Sequence, residues 1–316
     1  MVNRYTRPVS RRLVRPTQVL GDDFRSLGEL SSRVLSYNIA YITLAWGIVL
    51  GAFALAVAYP NPFVIIAAAL VVSGRQQALL NIEHECIHAL FVKGRKANDF
   101  VAIWLCASPA GSPFWAARAR HLSHHKYLGT PEDPDGPLHT GPAFATRRST
   151  MKTFILGTCG GYALKVLFGE SDAVNVDPKQ ARADKIHLVV TQVVLWAATA
   201  WLFAWWVWPV LWLIPLATVG VLAHQIRSFG EHAITPSEED PYGDRLISTT
   251  SNPVERYMVA PFFMNFHSEH HLFPWVPAKR LPEVQRRLDL SNEGPVRLRR
   301  KSYLSSVRHY LAGIES

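Results

Sequence analysis

The chain has 316 residues, 49% hydrophobic and 18% charged, with a formal net charge of +9. Soluble domains usually carry about a quarter charged residues, so this composition argues against a wholly soluble protein. Three cysteines, Cys86, Cys106 and Cys159, match neither a CxxC site nor a disulfide framework, which excludes a disulfide-built domain or an iron–sulfur protein; they read as buried thiols.

Residues 1–35 hold seven arginines and no apolar core segment. They read as a basic cytosolic segment, and no cleavable signal peptide is expected. The first apolar stretch runs over about 39–59, long enough for a bilayer, which needs about 20 residues. Pro60 and Pro62 mark a turn. The second stretch, about 62–82, runs on through "RQQALLNIEHECIHALF". A third covers about 186–208 and a fourth about 209–226, with a kink expected at Pro215. Residues 151–168 read either as an amphipathic helix along the interface or as a buried cytosolic segment. Residues 291–316 read as a basic cytosolic tail, either solvated or touching anionic lipid.

The basic residues orient these spans. Seven precede the first, thirteen lie in 93–185, and twelve run from Arg227 to the end. Only Arg75 lies within a span, and neither short turn, near 60–62 or near 208–210, carries any. Excess Lys and Arg mark cytoplasmic loops, so the spans pair as two hairpins with both termini in the cytoplasm. Trp205, Trp206, Trp208 and Trp212 then fall at the outer turn, as an interfacial aromatic belt would. The expected fold is an all-α integral membrane protein, with four transmembrane helices in two hairpins and a cytosolic helical cap. The domain is expected over 36–290. Arg75 reads either as a structural donor or as a contact for a polar substrate group.

Thirteen histidines occur, and eight fall in three short motifs: "HECIH" (His84, His88), "HLSHH" (His121, His124, His125) and "HSEHH" (His267, His270, His271). Residues three and four apart share a helix face, so each motif can aim its imidazoles at one point. Neutral imidazole is the commonest ligand for borderline metals. Gln77, Asn81, His84 and His88 share one helix face, and the fourth span can extend to "RSFGEH", ending at His232. All nine histidines then meet on the cytosolic side, and nine exceed the needs of one metal. His224, eight residues from His232, reads as structural or substrate-lining, and His139, His187 and His309 as ordinary histidines.

These motifs resemble those of the membrane fatty-acid desaturase superfamily. The likeness covers roughly 35–290 and includes "HLSHHKYLGTPEDPD", with Asp133 and Asp135, and "NFHSEHHLFPWVPAKRLPEV". The resemblance implies two non-haem irons held by His84, His88, His121, His124, His125, His232, His267, His270 and His271. Some members carry an asparagine four residues before the extra histidine; here Ser228 stands there. Water, Ser228, Glu231 or Asn265 is left to fill that position. Glu85, Glu231 and Glu269 adjoin ligands in sequence and are candidates to orient them.

The resemblance also implies O2-dependent hydrogen abstraction from an unactivated C–H bond, most commonly desaturation of a fatty-acyl or lipid chain. Hydroxylation, or oxidation of a small metabolite, is the alternative on the same scaffold. Electrons must come from an external ferredoxin- or cytochrome-like donor, and no nucleic-acid partner is expected. A bacterial inner membrane is the expected location. A zinc membrane hydrolase would need fewer histidines, and a metal transporter would place ligands near the bilayer midplane.

Overall fold

The computed structural model describes Leu30 and residues 34–161, 176–235, 238, 245–290 and 298–314. The first 29 residues and 162–175 lie outside them, the latter including 162–168, the end of the segment expected along the interface. Among the described residues, four helices are long and apolar enough to cross a membrane. They are α1 (Leu35–Ala58), α2 (Pro62–Ile87), α6 (Pro178–Leu202) and the run Pro209–His232, whose last part is α7 (Val221–His232). Between and after them lie α3 (Arg95–Val101), α4 (Phe114–Tyr127), α5 (Arg147–Leu156), α8 (Pro253–Met258), α9 (His267–Leu272), α10 (Leu281–Leu290) and α11 (Tyr303–Gly313).

Local chemistry sets the helix starts. Asn61 accepts from the Val64 amide at 3.1 Å, with Pro62 in the first turn of α2. Asp177 does the same for α6, accepting from Lys179 at 2.7 Å ahead of Pro178. In the fourth span, Pro215 separates two stretches of π-helix, Pro209–Leu213 and Leu216–Gly220. The helix absorbs the proline by widening its turns.

Polar side chains on α2 tie the spans together. Gln76 donates to the Trp212 carbonyl at 2.7 Å, and Gln77 to Gly220 at 2.9 Å. Asn81 donates to Pro261 at 2.8 Å. All three are buried, where an unpaired amide would cost about 1–3 kcal/mol. These bonds therefore set the register of the fourth span and of the turn before α9.

Two sequence expectations are corrected here. Trp208 and Trp212 are buried rather than interfacial; they stack at 4.8 Å, and Trp212 also stacks on Trp46. Their indole N–H groups donate to Gln192 and to the Pro109 carbonyl. Trp196, Trp201 and Trp205 are exposed instead. The space for those rings comes from a segment the hydropathy reading passed over. α3 continues as π-helix Ala102–Ala107, and residues 105–112 reach in among the spans. There Leu105 accepts from Trp46, Ser108 and Pro109 accept from Gln192, and Ser112 donates to Glu83.

The second correction concerns the basic end. Residues 298–314 are packed, not free: β2 (Leu298–Arg300) pairs in parallel with β1 (Ile247–Thr249), and α11 packs against α7. Tyr303 is fully buried and Tyr310 nearly so.

One long-range cap positions α4. Asp184 of α6 accepts from the Trp115 and Ala116 amides at 3.1 Å, satisfying the first turn of the helix that carries "HLSHH". Asp184→Ala should therefore cost about 1 kcal/mol and lower the thermal unfolding temperature in detergent. Asp184→Asn should recover part of the loss. Equal unfolding temperatures for parent and alanine variant would refute this role.

Candidate metal centre

Four elements deliver the histidines. The end of α2 carries His84 and, at its C-cap, His88; α4 carries His121, His124 and His125. α7 ends at His232, and α9 carries His267, His270 and His271. A strained turn aims α9. Phe262 and Phe263 hold φ of 60° and 63°, a left-handed conformation that costs a residue with a side chain about 1–2 kcal/mol. Phe262 offsets this by packing on Tyr37, Tyr41 and Phe91, and Asn81 holds the neighbouring Pro261 carbonyl.

The nine histidines divide into two groups. His84, His88, His121, His125 and His270 form one, and His124, His232, His267 and His271 the other; within each, the candidate ligand atoms lie within 4.8 Å of one another. Some pairs are closer. Nε2 of His121 lies 2.9 Å from that of His88 and 3.0 Å from that of His125. His125 lies 3.0 Å from His270, and His232 2.9 Å from His267.

Three rings of the four-membered group are fixed from behind. His124 donates Nδ1–H to Asp133 at 2.8 Å, and His232 donates Nδ1–H to the Arg245 carbonyl at 3.0 Å. His267 Nδ1 faces Glu231 at 3.3 Å. An imidazole that donates from Nδ1 keeps the Nε2 lone pair free, and those Nε2 atoms converge. Burial pushes Asp133 up, but its bond to His124, the nearby His124 and His139 and the Asp135 amide together outweigh this and leave the carboxyl below its usual range.

Burial keeps several of these imidazoles neutral. It is the largest influence on His121, His267, His270 and His271 and holds each well below the ordinary value, with nearby cationic groups adding to it. His88 is pushed down to about 4 by burial and then Arg95, and His125 to about 2 by burial and then His88. Neutral imidazoles with converging lone pairs are donors for a cation.

The carboxylates nominated by sequence separate. Glu231 supports the site: it also accepts from Tyr303 at 2.7 Å and from Arg227 at 3.3 Å. Glu269 faces away, accepting from Ser248 at 2.6 Å, and Glu85 accepts from the Ala278 amide at 3.1 Å. Both tie α9 and its flank to neighbouring elements. Asn265 donates to the Thr249 carbonyl at 2.9 Å, and Ser228 is half-buried on α7. Arg75 lies over the Tyr257 ring at 3.8 Å and donates to its carbonyl. Nine residues separate it from His84, which places the two on opposite faces of α2, so Arg75 anchors α8. His139, set aside by sequence as ordinary, is buried and stacks on His232 at 4.9 Å. Tyr303 was also missed, since nothing in a basic tail announces a tyrosine that folds back onto α7.

The family model for fatty acid desaturases matches residues 60–293. The chain belongs to the fatty acid desaturase family. Its relatives within the membrane superfamily differ in chemistry. Dihydrorhizobitoxine desaturase of Bradyrhizobium elkanii is 22% identical over 298 residues, 90% of this chain and 80% of its own. A β-carotene ketolase of Paracoccus sp. (strain PC1) is 28% identical over 257 residues, 78% of this chain and 90% of its own. Sphingolipid delta(4)-desaturase of Drosophila melanogaster is 28% identical over 229 residues, 66% of this chain and 61% of its own. These relatives and the family make the chain an oxidoreductase of desaturase or oxygenase type.

Two measurements check the site. Unfolded imidazoles take up protons near 6.5, whereas folded His88 and His125 stay neutral to about 4 and about 2. The unfolded chain thus binds more protons below about 6.5, and stability must fall with falling pH, by up to about 1.4 kcal/mol per unit for each such group. Metal-free protein should unfold at a clearly lower temperature at pH 5.5 than at pH 8; a flat profile would contradict the burial. Separately, Glu231→Gln should weaken metal binding at the four-histidine group by about 10–100-fold, read by competition with a chelator.

Proposed function

We propose that this chain is an O2-dependent di-iron membrane oxidoreductase that desaturates a fatty-acyl or lipid chain, using electrons from an external ferredoxin- or cytochrome-like donor. The observation that carries the reading is the pair of adjacent all-nitrogen groups, of five and four histidines.

The donor set fits two irons better than zinc. Five nitrogens exceed the four ligands of a tetrahedral zinc site. For metal–nitrogen bonds of about 2.1 Å, ligands at right angles lie about 3.0 Å apart, and tetrahedral ligands about 3.4 Å apart. The closest spacings here are 2.9–3.0 Å, which favours higher coordination. His84, His88, His121, His125 and His270 would hold one ion, and His124, His232, His267 and His271 the other. Two bound irons supply the O2-dependent abstraction of hydrogen from a C–H bond that no side chain here can perform.

The protein's own contribution is placement. Asp133, Glu231 and the Arg245 carbonyl keep three rings in the tautomer that exposes Nε2. Burial shields the imidazoles from bulk solvent. The charge partition supports spans paired as two hairpins, with both termini and the histidine-bearing cap on the cytoplasmic side of a bacterial inner membrane. A chain entering between the spans would reach the cap directly, and the net charge of +9 would attract an acidic electron donor. The domain runs over 36–290, supported by the packed end 298–314.

Purified protein should contain about two irons per chain. Expression in a lipid-rich host should yield new double bonds that the His270→Ala variant does not produce. New hydroxyl or keto groups instead would move the reaction toward oxygen insertion, as the ketolase relatives are named for. One zinc and no iron would refute the reading.

A further inference from the structure

The two histidine groups are unequal, five against four, and a tenth imidazole stands beside the smaller. His139 is 1% exposed, and its ring lies at 4.9 Å and 29° to that of His232. Neither of its ring nitrogens has a hydrogen-bond partner among the described residues, nor has Asp133 Oδ2, which is also buried. A buried imidazole with both nitrogens unpaired forgoes about 1–3 kcal/mol per group, so bland packing does not account for it. His84, inside the five-membered group, shares this condition.

Two of the other candidates near the smaller group are engaged elsewhere. Asn265 donates to Thr249, and Glu231 serves Arg227, Tyr303 and His267. His139 lies outside the set of four whose ligand atoms fall within 4.8 Å of one another, so any part it takes in their site runs through an intervening molecule. A water there needs two or more polar partners. His139 and the free oxygen of Asp133 supply them, while the other oxygen of Asp133 orients His124.

We propose that His139 completes the second metal position, holding a water ligand for the ion bound by His124, His232, His267 and His271. His139 is thus a positioning residue of the four-histidine site. It lies fourteen residues beyond His125, on the loop that also brings Asp133. The inference rests on the two-metal reading and assigns its smaller half an additional partner.

Cobalt(II) alone is the probe, titrated into metal-free full-length protein in detergent, with affinity and visible d–d absorption as readouts. The parent should bind two equivalents. His139→Phe, which keeps the aromatic stack but cannot hold water, should bind the first equivalent unchanged and the second about 10–100-fold more weakly, with an altered absorption band. His139→Gln, which keeps a polar head, should recover most of that affinity. Parent-like binding and spectrum in the phenylalanine variant would overturn the proposal while leaving the metal pair intact. Equal loss in both variants would overturn it too, by marking a packing role. A parent that binds fewer than two equivalents would instead remove the two-metal reading itself, and this proposal with it.

Discussion

Nine imidazoles crowd into two touching groups, and they can do so only while neutral. Charged imidazoles at these separations would repel by several kcal/mol per pair in a buried setting. Neutral ones present converging lone pairs, with the closest nitrogens 2.9–3.0 Å apart. Each lone pair needs an electrophile, and the chain supplies few protons to share among them. The rest of the fold can be understood as whatever holds this arrangement together and shields it from bulk solvent. The carboxylates and carbonyl behind His124, His232 and His267 add direction, since a ring fixed at Nδ1 can face only one way.

The long helices serve as rails for that arrangement. α2 sets the depth of His84 and His88, and its amides Gln76, Gln77 and Asn81 register the fourth span and the α9 turn against it. Because these side chains are buried, a slip of one residue would leave several polar groups unpaired at once. The same logic governs Asp184, which fixes α4 from a different span. The C-terminal end closes the set: Tyr303 bonds Glu231, which faces His267, so a segment remote in sequence bears on a ring of the site.

This division of labour fits a family whose relatives are named for different substrates and outcomes. A desaturase, a ketolase and a sphingolipid desaturase share a likeness to this chain. The histidine groups and their supports are built from helices held by buried bonds. Substrate choice would then be decided by the surfaces that face the site, which can vary without disturbing the histidines.

The sequence by itself carried the four apolar spans and the nine histidines. Those are periodic or compositional signals: apolar runs of membrane length, and i, i+3 and i+4 spacing. It also carried the family. Tertiary structure alone decided how the nine divide into five and four, because His121 and His125 of one motif face away from His124 between them. It alone moved Trp208 and Trp212 into the core, since the segment that covers them approaches from another part of the chain. It brought Tyr303 to Glu231 and His139 to His232. A lone histidine in a loop and a tyrosine in a basic end have no local period to read. Their roles come from contacts across more than ninety and seventy residues, and only the packed chain specifies such contacts.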